Sequence, residues 1–105
     1  MKLFKSVFAT AVLGLGLSVA NSAIASPQLA KQYKCLECHV VDKKVIGPSL
    51  RDISKKYKGE PGAVTKLSDK VRSGSVGTWG TVPMQAYPDI PQKDLESIIN
   101  WMLDR

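Results

Sequence analysis

Both cysteines and the only histidine of this 105-residue chain lie within five consecutive residues, Cys35-Leu36-Glu37-Cys38-His39. Two cysteines three positions apart and followed at once by a histidine form the C-x-x-C-H pattern. On one turn of helix the two thiols lie on neighbouring positions of one face, and the imidazole follows directly beside them. Any cross-link or ligand held through cysteine is therefore centred on these five residues.

The pattern is the attachment signature of c-type haem. Cys35 and Cys38 are spaced to form thioethers with the two vinyl groups on one side of a porphyrin. His39 then reaches the iron from the same face of the ring. The sequence thus predicts one covalently bound haem c, with Cys35 and Cys38 as attachment points and His39 as an iron ligand.

A disulfide, a redox pair and a zinc site are the alternatives for this motif, and each is weaker. A disulfide between Cys35 and Cys38 closes too small a loop to hold a domain together. A thioredoxin-like redox pair needs a βαβ context, which the sequence lacks. A structural zinc site needs four ligands, and the chain has only three Cys or His residues.

The first 25 residues have the pattern of a secretory signal peptide. Two lysines precede an apolar run over residues 7–20, and the segment ends in Ala23-Ile24-Ala25. A retained membrane anchor is the alternative, but the run is shorter than the roughly 20 apolar residues that a spanning helix needs. We expect residues 1–25 to be cleaved, so that the mature chain is exported and does not stay inserted in a membrane.

Cleavage would leave residues 26–105, an 80-residue chain that forms one domain. A chain of this size has a thin core and commonly depends on a cofactor, metal or disulfide for stability. The net charge falls from +6 to +4 when the two lysines of the leader are lost. This modest excess suits an acidic partner surface or general solubility. No pattern typical of nucleic-acid binding is present.

Apolar residues recur at helical spacing in four short segments, and no stretch alternates long enough to predict a sheet. The sequence therefore predicts an all-α fold with one long loop over residues 75–90, rich in Gly, Pro and Thr. Loops of this length in small domains are commonly functional. The four predicted helical segments are residues 26–36, 48–57, 64–71 and 91–102.

The sixth ligand of the iron decides between a carrier and a catalyst, because a second strong protein ligand blocks access of substrate. Met84 and Met102 are the candidates in the mature chain. Met102 lies on the apolar stripe of the last helix, where packing explains it. Met84 follows Val82-Pro83 in the long loop, where nothing else explains a methionine, although a plain loop methionine stays the alternative. Met84 is the predicted ligand.

Gly47-Pro48 follows His39 by eight residues. A metal-bound histidine nearly always donates its other N–H to an acceptor that fixes the ring, and the Pro48 carbonyl could be that acceptor. The alternative is that this dipeptide only starts a helix.

With these pieces in place, the mature chain resembles the short class I bacterial c-type cytochromes, which are periplasmic carriers of about 80 residues. The resemblance covers nearly all of residues 26–105. It implies a class I cytochrome c fold, with about four short helices wrapped around a covalently bound haem. The motifs that carry it are Cys-Leu-Glu-Cys-His at 35–39, Ile46-Gly47-Pro48, Gly77-Thr78-Trp79-Gly80, Val82-Pro83-Met84 and Asn100-Trp101-Met102-Leu103.

The resemblance also implies roles for individual residues. His39 and Met84 are expected as the axial ligands, and the Pro48 carbonyl is expected to orient His39. Lys70 and Trp79 are expected near the haem propionates. For Trp79 a place in the core stays open, and for Lys70 a solvated position on a helix. Three departures stand out. Residues 85–90 are about one residue longer than is common, Tyr87 stands roughly where some relatives have an asparagine that bonds the ligand sulfur, and Pro91 stands where a serine cap is frequent.

The function implied is that of a monomeric periplasmic one-electron carrier, not an enzyme. Such carriers take electrons from a cytochrome bc complex and pass them to a terminal oxidase or to nitrite reductase. The expected contact patch is apolar, with Lys43 and Lys44 nearby either to steer an acidic partner or merely to solvate the surface. The patch comprises Leu36, Val45, Ile46, Val82, Pro83 and Ala86.

One rival function belongs to another class of protein. A c-type haem enzyme or gas sensor would keep an open sixth coordination site. It would also need a distal acid–base group, and the chain has no second histidine to supply one.

Overall fold

The computed structural model describes Ala11, residues 13–16 and residues 26–105. Apart from Ala11 and residues 13–16, the predicted signal peptide lies outside the described residues. Within the described part of the chain, no helix is both long enough and apolar enough to cross a membrane.

Within residues 26–105, five helices and one two-stranded hairpin form the domain. The elements, in chain order, are α1 Ser26–Gln32, α2 Cys35–Cys38, α3 Leu50–Tyr57, α4 Ala63–Ser73, β1 Ser75–Gly77, β2 Gly80–Met84 and α5 Gln92–Leu103. The mainly helical fold is as the sequence predicts.

The first predicted helix is divided in two. Lys34 adopts a left-handed backbone conformation with φ 63°, which separates α2 from α1. The apolar spacing continues across Tyr33 and Leu36 and therefore predicts one helix. A backbone break at one residue with positive φ does not change that spacing.

The predicted loop over residues 75–90 contains the hairpin, so the expectation of no strand does not hold there. Its strands pair antiparallel, with Ser75 opposite Met84 and Gly77 opposite Gly80, and the register shifts between the two pairs. Nearly every residue of β1 and β2 is exposed, so neither face has to be apolar. The alternation that predicts a strand is therefore missing.

Helix α3 begins at a side-chain cap. The Ser49 hydroxyl accepts a hydrogen bond from the Asp52 backbone N–H at 3.0 Å. This bond satisfies one of the free N–H groups of the first turn and fixes where the helix begins. It thereby sets the position of Pro48, the residue just before the cap.

Helix α5 is the element on which the others pack. Leu95, Ile99 and Met102 are buried on it against residues of α3 and α4, and Ile98 packs against Leu29 of α1. These residues recur at the spacing of one helix face, as the sequence predicts. The core therefore has α5 at its centre.

Two long-range hydrogen bonds tie α3 and the residue that follows α1 to α5. The buried Ser54 hydroxyl of α3 donates to the Leu103 carbonyl at 2.6 Å. The Tyr33 hydroxyl donates to an Asp94 carboxylate oxygen at 2.7 Å. This bond raises the pKa of Tyr33 above its ordinary value.

Leu95 is 1% exposed, which makes its side chain the test of this core. Leu95→Ala should lower the free energy of unfolding by about 2–5 kcal/mol, because it removes buried methyl groups and leaves a cavity. Denaturant titration of the haem-containing protein measures the change. Lys93→Ala, on the exposed side of the same helix, should shift it by no more than about 0.5 kcal/mol. Equal effects of the two variants would contradict a core centred on α5.

Candidate haem site

A cavity of about 580 Å³ lies between the helices and the hairpin, and every helix and strand contributes to its wall. Its wall is predominantly apolar. Sites of this size and character are typical of bound cofactors. The deeper apolar lining residues are Leu50, Ile53, Leu67, Leu95, Ile98 and Ile99.

Helix α2 brings Cys35 and Cys38 to the wall, and His39 follows at its C-terminal end. Both thiols are free and half-buried. Burial, with a smaller contribution from Cys38, raises the pKa of the Cys35 thiol above its ordinary value. That thiol is protonated at neutral pH, unlike the activated cysteine of a redox enzyme.

The ring of His39 is held by a backbone carbonyl. Its Nδ1 lies 2.8 Å from the Pro48 carbonyl oxygen, which can only accept, so Nδ1 carries the proton and donates. In the neutral imidazole this leaves a lone pair on Nε2, the nitrogen that a metal would bind. The structure thus brings together the two residues that the sequence paired.

Gly47 makes room for this arrangement. A Cβ atom built there would lie 2.7 Å from Cε1 and 2.9 Å from Nδ1 of His39. The Gly47 N–H also donates to the Cys38 carbonyl at 2.8 Å, which holds the two segments side by side. Any side chain at this position would push the ring away from the Pro48 carbonyl. The sequence marks Gly47-Pro48 as a turn but does not reveal this close approach.

Both candidate methionines line the cavity. Met84 is half-buried at the end of β2. Met102 is 7% exposed and belongs to the core around α5, as its place on the apolar stripe predicts.

Lys70 of α4 and Trp79 of the hairpin turn both line the cavity. The Lys70 ammonium donates to the Thr78 hydroxyl at 3.2 Å. Trp79 is 38% exposed, so it is not a residue of the closed core. The Lys56 ammonium lies 5.8 Å from the centre of its ring, a distance suited to a cation–π contact. This end of the cavity is therefore cationic.

Tyr57 is a wall residue that the sequence does not single out for the site. It is 3% exposed, lines the cavity, and has the ammonium groups of Lys56 and Lys66 each 5.7 Å from its ring centre. Its place on the apolar stripe of α3 is the available signal, but that stripe serves the core and the cavity alike.

These features fit a haem. The apolar wall suits the porphyrin, and the two thiols suit thioether links. The imidazole of His39 has a free Nε2 for iron, and the lysines near Trp79 suit carboxylate groups. Among the described residues no Asp or Glu lines the cavity, so the wall offers no carboxylate that would repel the propionates.

Comparison with known proteins agrees with the site. The family model for cytochrome c matches residues 24–105. The chain is 38% identical over 87 residues to cytochrome c-551 of Allochromatium vinosum, covering 83% of this chain and 93% of that one. It is 40% identical over 87 residues to cytochrome c-552 of Nitrosomonas europaea, covering 83% and 84%.

Two solved structures have the same fold. A crystal structure of wild-type Nitrosomonas europaea cytochrome c552 gives a TM-score of 0.71 at 38% identity, covering 74% of this chain and 96% of that one. The class 1 cytochrome MtoD of Sideroxydans lithotrophicus ES-1 gives 0.64 at 26%, covering 76% and 91%. The chain therefore belongs to the cytochrome c family of electron carriers, has the class I fold, and carries an iron-containing haem c that is bound covalently.

Proposed function

We propose that this protein is a periplasmic one-electron carrier whose haem is attached through Cys35 and Cys38, with His39 and Met84 as axial ligands of the iron. The observation that carries the proposal is the apolar cavity, whose wall contains all four of these residues. The bound haem supplies the redox chemistry, since its iron gains and loses one electron.

The protein's part is to hold this centre still. The Pro48 carbonyl fixes the His39 ring, and Gly47 leaves space for it. Pro83 restricts the backbone just before Met84. A carrier benefits from such rigidity, because electron transfer is fast when little has to move. The apolar wall favours the less charged, reduced state and so contributes to the potential.

Met84 is preferred to Met102 because of where each side chain is committed. Met102 packs in the core with residues of α3, α4 and α5, so withdrawing it would open a hole there. Met84 ends a short exposed strand and has no such role. Its presence on the cavity wall is explained by ligation.

The cavity also argues against an enzyme or gas sensor with an open sixth site. Such a protein needs an acid–base group above the iron. Among the described residues no carboxylate lines the cavity, and the only histidine of the chain is His39.

Partners would meet the protein at the mouth of the cavity. Ile46 and Val82 line it while being 59% and 64% exposed, and Lys44 stands beside them. Four of the six residues of the proposed contact patch line the cavity: Leu36, Ile46, Val82 and Pro83. Val76, also 64% exposed, would extend the patch. We propose a cytochrome bc complex as donor and nitrite reductase or a terminal oxidase as acceptor. The leader over residues 1–25 directs the monomer to the periplasm.

Met84→Ala tests the ligand assignment. It should abolish the sulfur-to-iron charge-transfer band of the oxidised protein and lower the reduction potential, because the thioether stabilises reduced iron. It should also let the reduced protein bind carbon monoxide. Optical spectra in both redox states and a potential titration measure these changes.

Met102→Leu is the matched control. It keeps the volume of the core and should leave the band and the potential unchanged. A band that survives Met84→Ala but disappears with Met102→Leu would show that the assignment is wrong.

Cys35→Ala combined with Cys38→Ala tests the dependence of the fold on haem. Without a cofactor in a cavity of about 580 Å³, the apolar wall residues lose the surface against which they pack. We expect a largely disordered or molten chain without a cooperative thermal transition in circular dichroism. Glu37→Ala, within the same motif, should keep both haem and fold. Full helicity and a sharp transition in the double variant would contradict the proposal.

Lys43→Glu combined with Lys44→Glu tests steering. If these exposed lysines guide an acidic partner, electron transfer to the acceptor should slow with rising salt, because screening shortens to about 8 Å at physiological ionic strength. The double reversal should lower the association rate about tenfold or more at low salt. Stopped-flow rates measure this.

Lys55→Glu combined with Lys93→Glu changes the net charge equally, at exposed sites that do not line the cavity. That variant should have the smaller effect. A flat salt profile and equal behaviour of the two variants would mean that Lys43 and Lys44 only solvate the surface.

A further inference from the structure

The segment from Gln85 to Pro91 connects the proposed ligand Met84 to helix α5. It contains neither helix nor strand. Its position against the cavity therefore depends on contacts with other parts of the chain. Ile90 anchors the segment in the core, and the segment's hydrogen bonds to the rest of the chain come largely from the C-terminal end of α4.

Arg72, in the last turn of α4, binds two acceptors in this segment and a third on Gln92, the first residue of α5. Its Nη1 donates to the Pro88 carbonyl at 3.0 Å, and its Nη2 donates to the Ile90 carbonyl at 2.9 Å. Its Nη2 and Nε also donate to the Gln92 side-chain oxygen, at 2.8 and 3.3 Å. The planar guanidinium is thus used as a fork, which a lysine cannot reproduce.

The charge of Arg72 is directed at these neutral oxygens. The two ion pairs found among the described residues join Arg51 to Asp42 and Lys66 to Glu60, and neither involves Arg72. Hydrogen bonds from a charged donor are stronger than those between neutral groups. Arg72 therefore holds the backbone of this segment in place and does not form a surface ion pair with any described residue.

Two neighbours of Arg72 contact the same segment. The Val71 carbonyl accepts a hydrogen bond from the Tyr87 N–H at 2.8 Å. Gly74 has φ +74°, and a Cβ atom there would lie 2.8 Å from the Met84 carbonyl oxygen. The end of α4 thus contacts the chain at Met84 itself and again at Tyr87.

We propose that Arg72 is a positioning residue for Met84: its fork on Pro88, Ile90 and Gln92 holds the segment that presents the methionine to the iron. The inference rests on the proposed ligation by Met84. On the other side of Met84 lies only the short, irregular and exposed hairpin. Without the fork the segment gains conformational freedom, and Met84 leaves the iron more often while the helices stay folded.

Arg72→Lys tests this in the haem-containing protein, because it keeps the charge and removes the fork. Binding of imidazole to the oxidised protein measures how often the sixth position opens. The rate should rise about tenfold or more, since at least two charge-assisted hydrogen bonds are lost. The charge-transfer band should disappear at a lower temperature than the helical circular dichroism does, and exchange of the Tyr87 amide should accelerate.

Two further variants complete the design. Arg51→Lys, in an exposed ion pair with Asp42 away from the segment, should leave all three quantities at their wild-type values. Gln92→Ala removes one of the three acceptors of Arg72 and should raise the imidazole rate by a smaller factor than Arg72→Lys.

Three results would overturn the inference, and they differ in what they leave standing. A wild-type imidazole rate in Arg72→Lys, with the band present, overturns the inference and leaves Met84 as the ligand. A band and a helical signal that are lost together, both at a lowered temperature, also overturn it, because Arg72 then supports only the fold. If Met84→Ala leaves the band of the wild type unchanged, the proposed ligation itself fails, and the role of Arg72 towards Met84 fails with it.

Discussion

A cavity of about 580 Å³ occupies the interior of a domain of 80 residues, and the packing of the helices follows from the need to enclose it. Helix α5 shows this most directly. Leu95, Ile98 and Ile99 belong to the core and also line the cavity. These side chains are already buried by their protein neighbours. A haem that fills the cavity would add the packing surface that they lack on the cavity side, so part of the hydrophobic stabilisation of this fold depends on haem.

The side of the cavity with His39 is built from contacts that are close in sequence. Residues 35–39 carry the thiols and the imidazole, and Pro48 accepts from the ring only nine residues later. Gly47, between them, is fixed by its bond to Cys38 and by the lack of space for a side chain. Short loops of this kind lose little entropy when they close. The geometry of this side is therefore encoded almost entirely in residues 35–48.

The distance along the chain between residues in contact explains what the sequence could predict. The haem motif, the partner of His39 and the apolar face of α5 are patterns within a few helical turns. In the structure the motif lines the cavity, Pro48 accepts from His39, and that face of α5 is buried. The hairpin was not predicted, because both of its faces are exposed and no alternation results. The break at Lys34 rests on one non-glycine residue with positive φ, which composition does not reveal. Arg72 looks like any helix charge until the fold brings residues 88–92 to it.

The two sides of the cavity consequently differ in how firmly they are held. Under the proposed ligation, His39 is fixed by the thioether links of the adjacent Cys35 and Cys38 to the haem, and by contacts within nine residues. Met84 is fixed by contacts that span 10 to 20 residues, from Gly74 to Met84 and from Arg72 to Gln92. Closing the longer loops costs slightly more entropy, about 0.6 kcal/mol for each doubling of loop length, and the methionine side has no covalent link to the haem. Loss of a ligand should therefore begin on the methionine side, and the end of α4 is the part of the protein that opposes it.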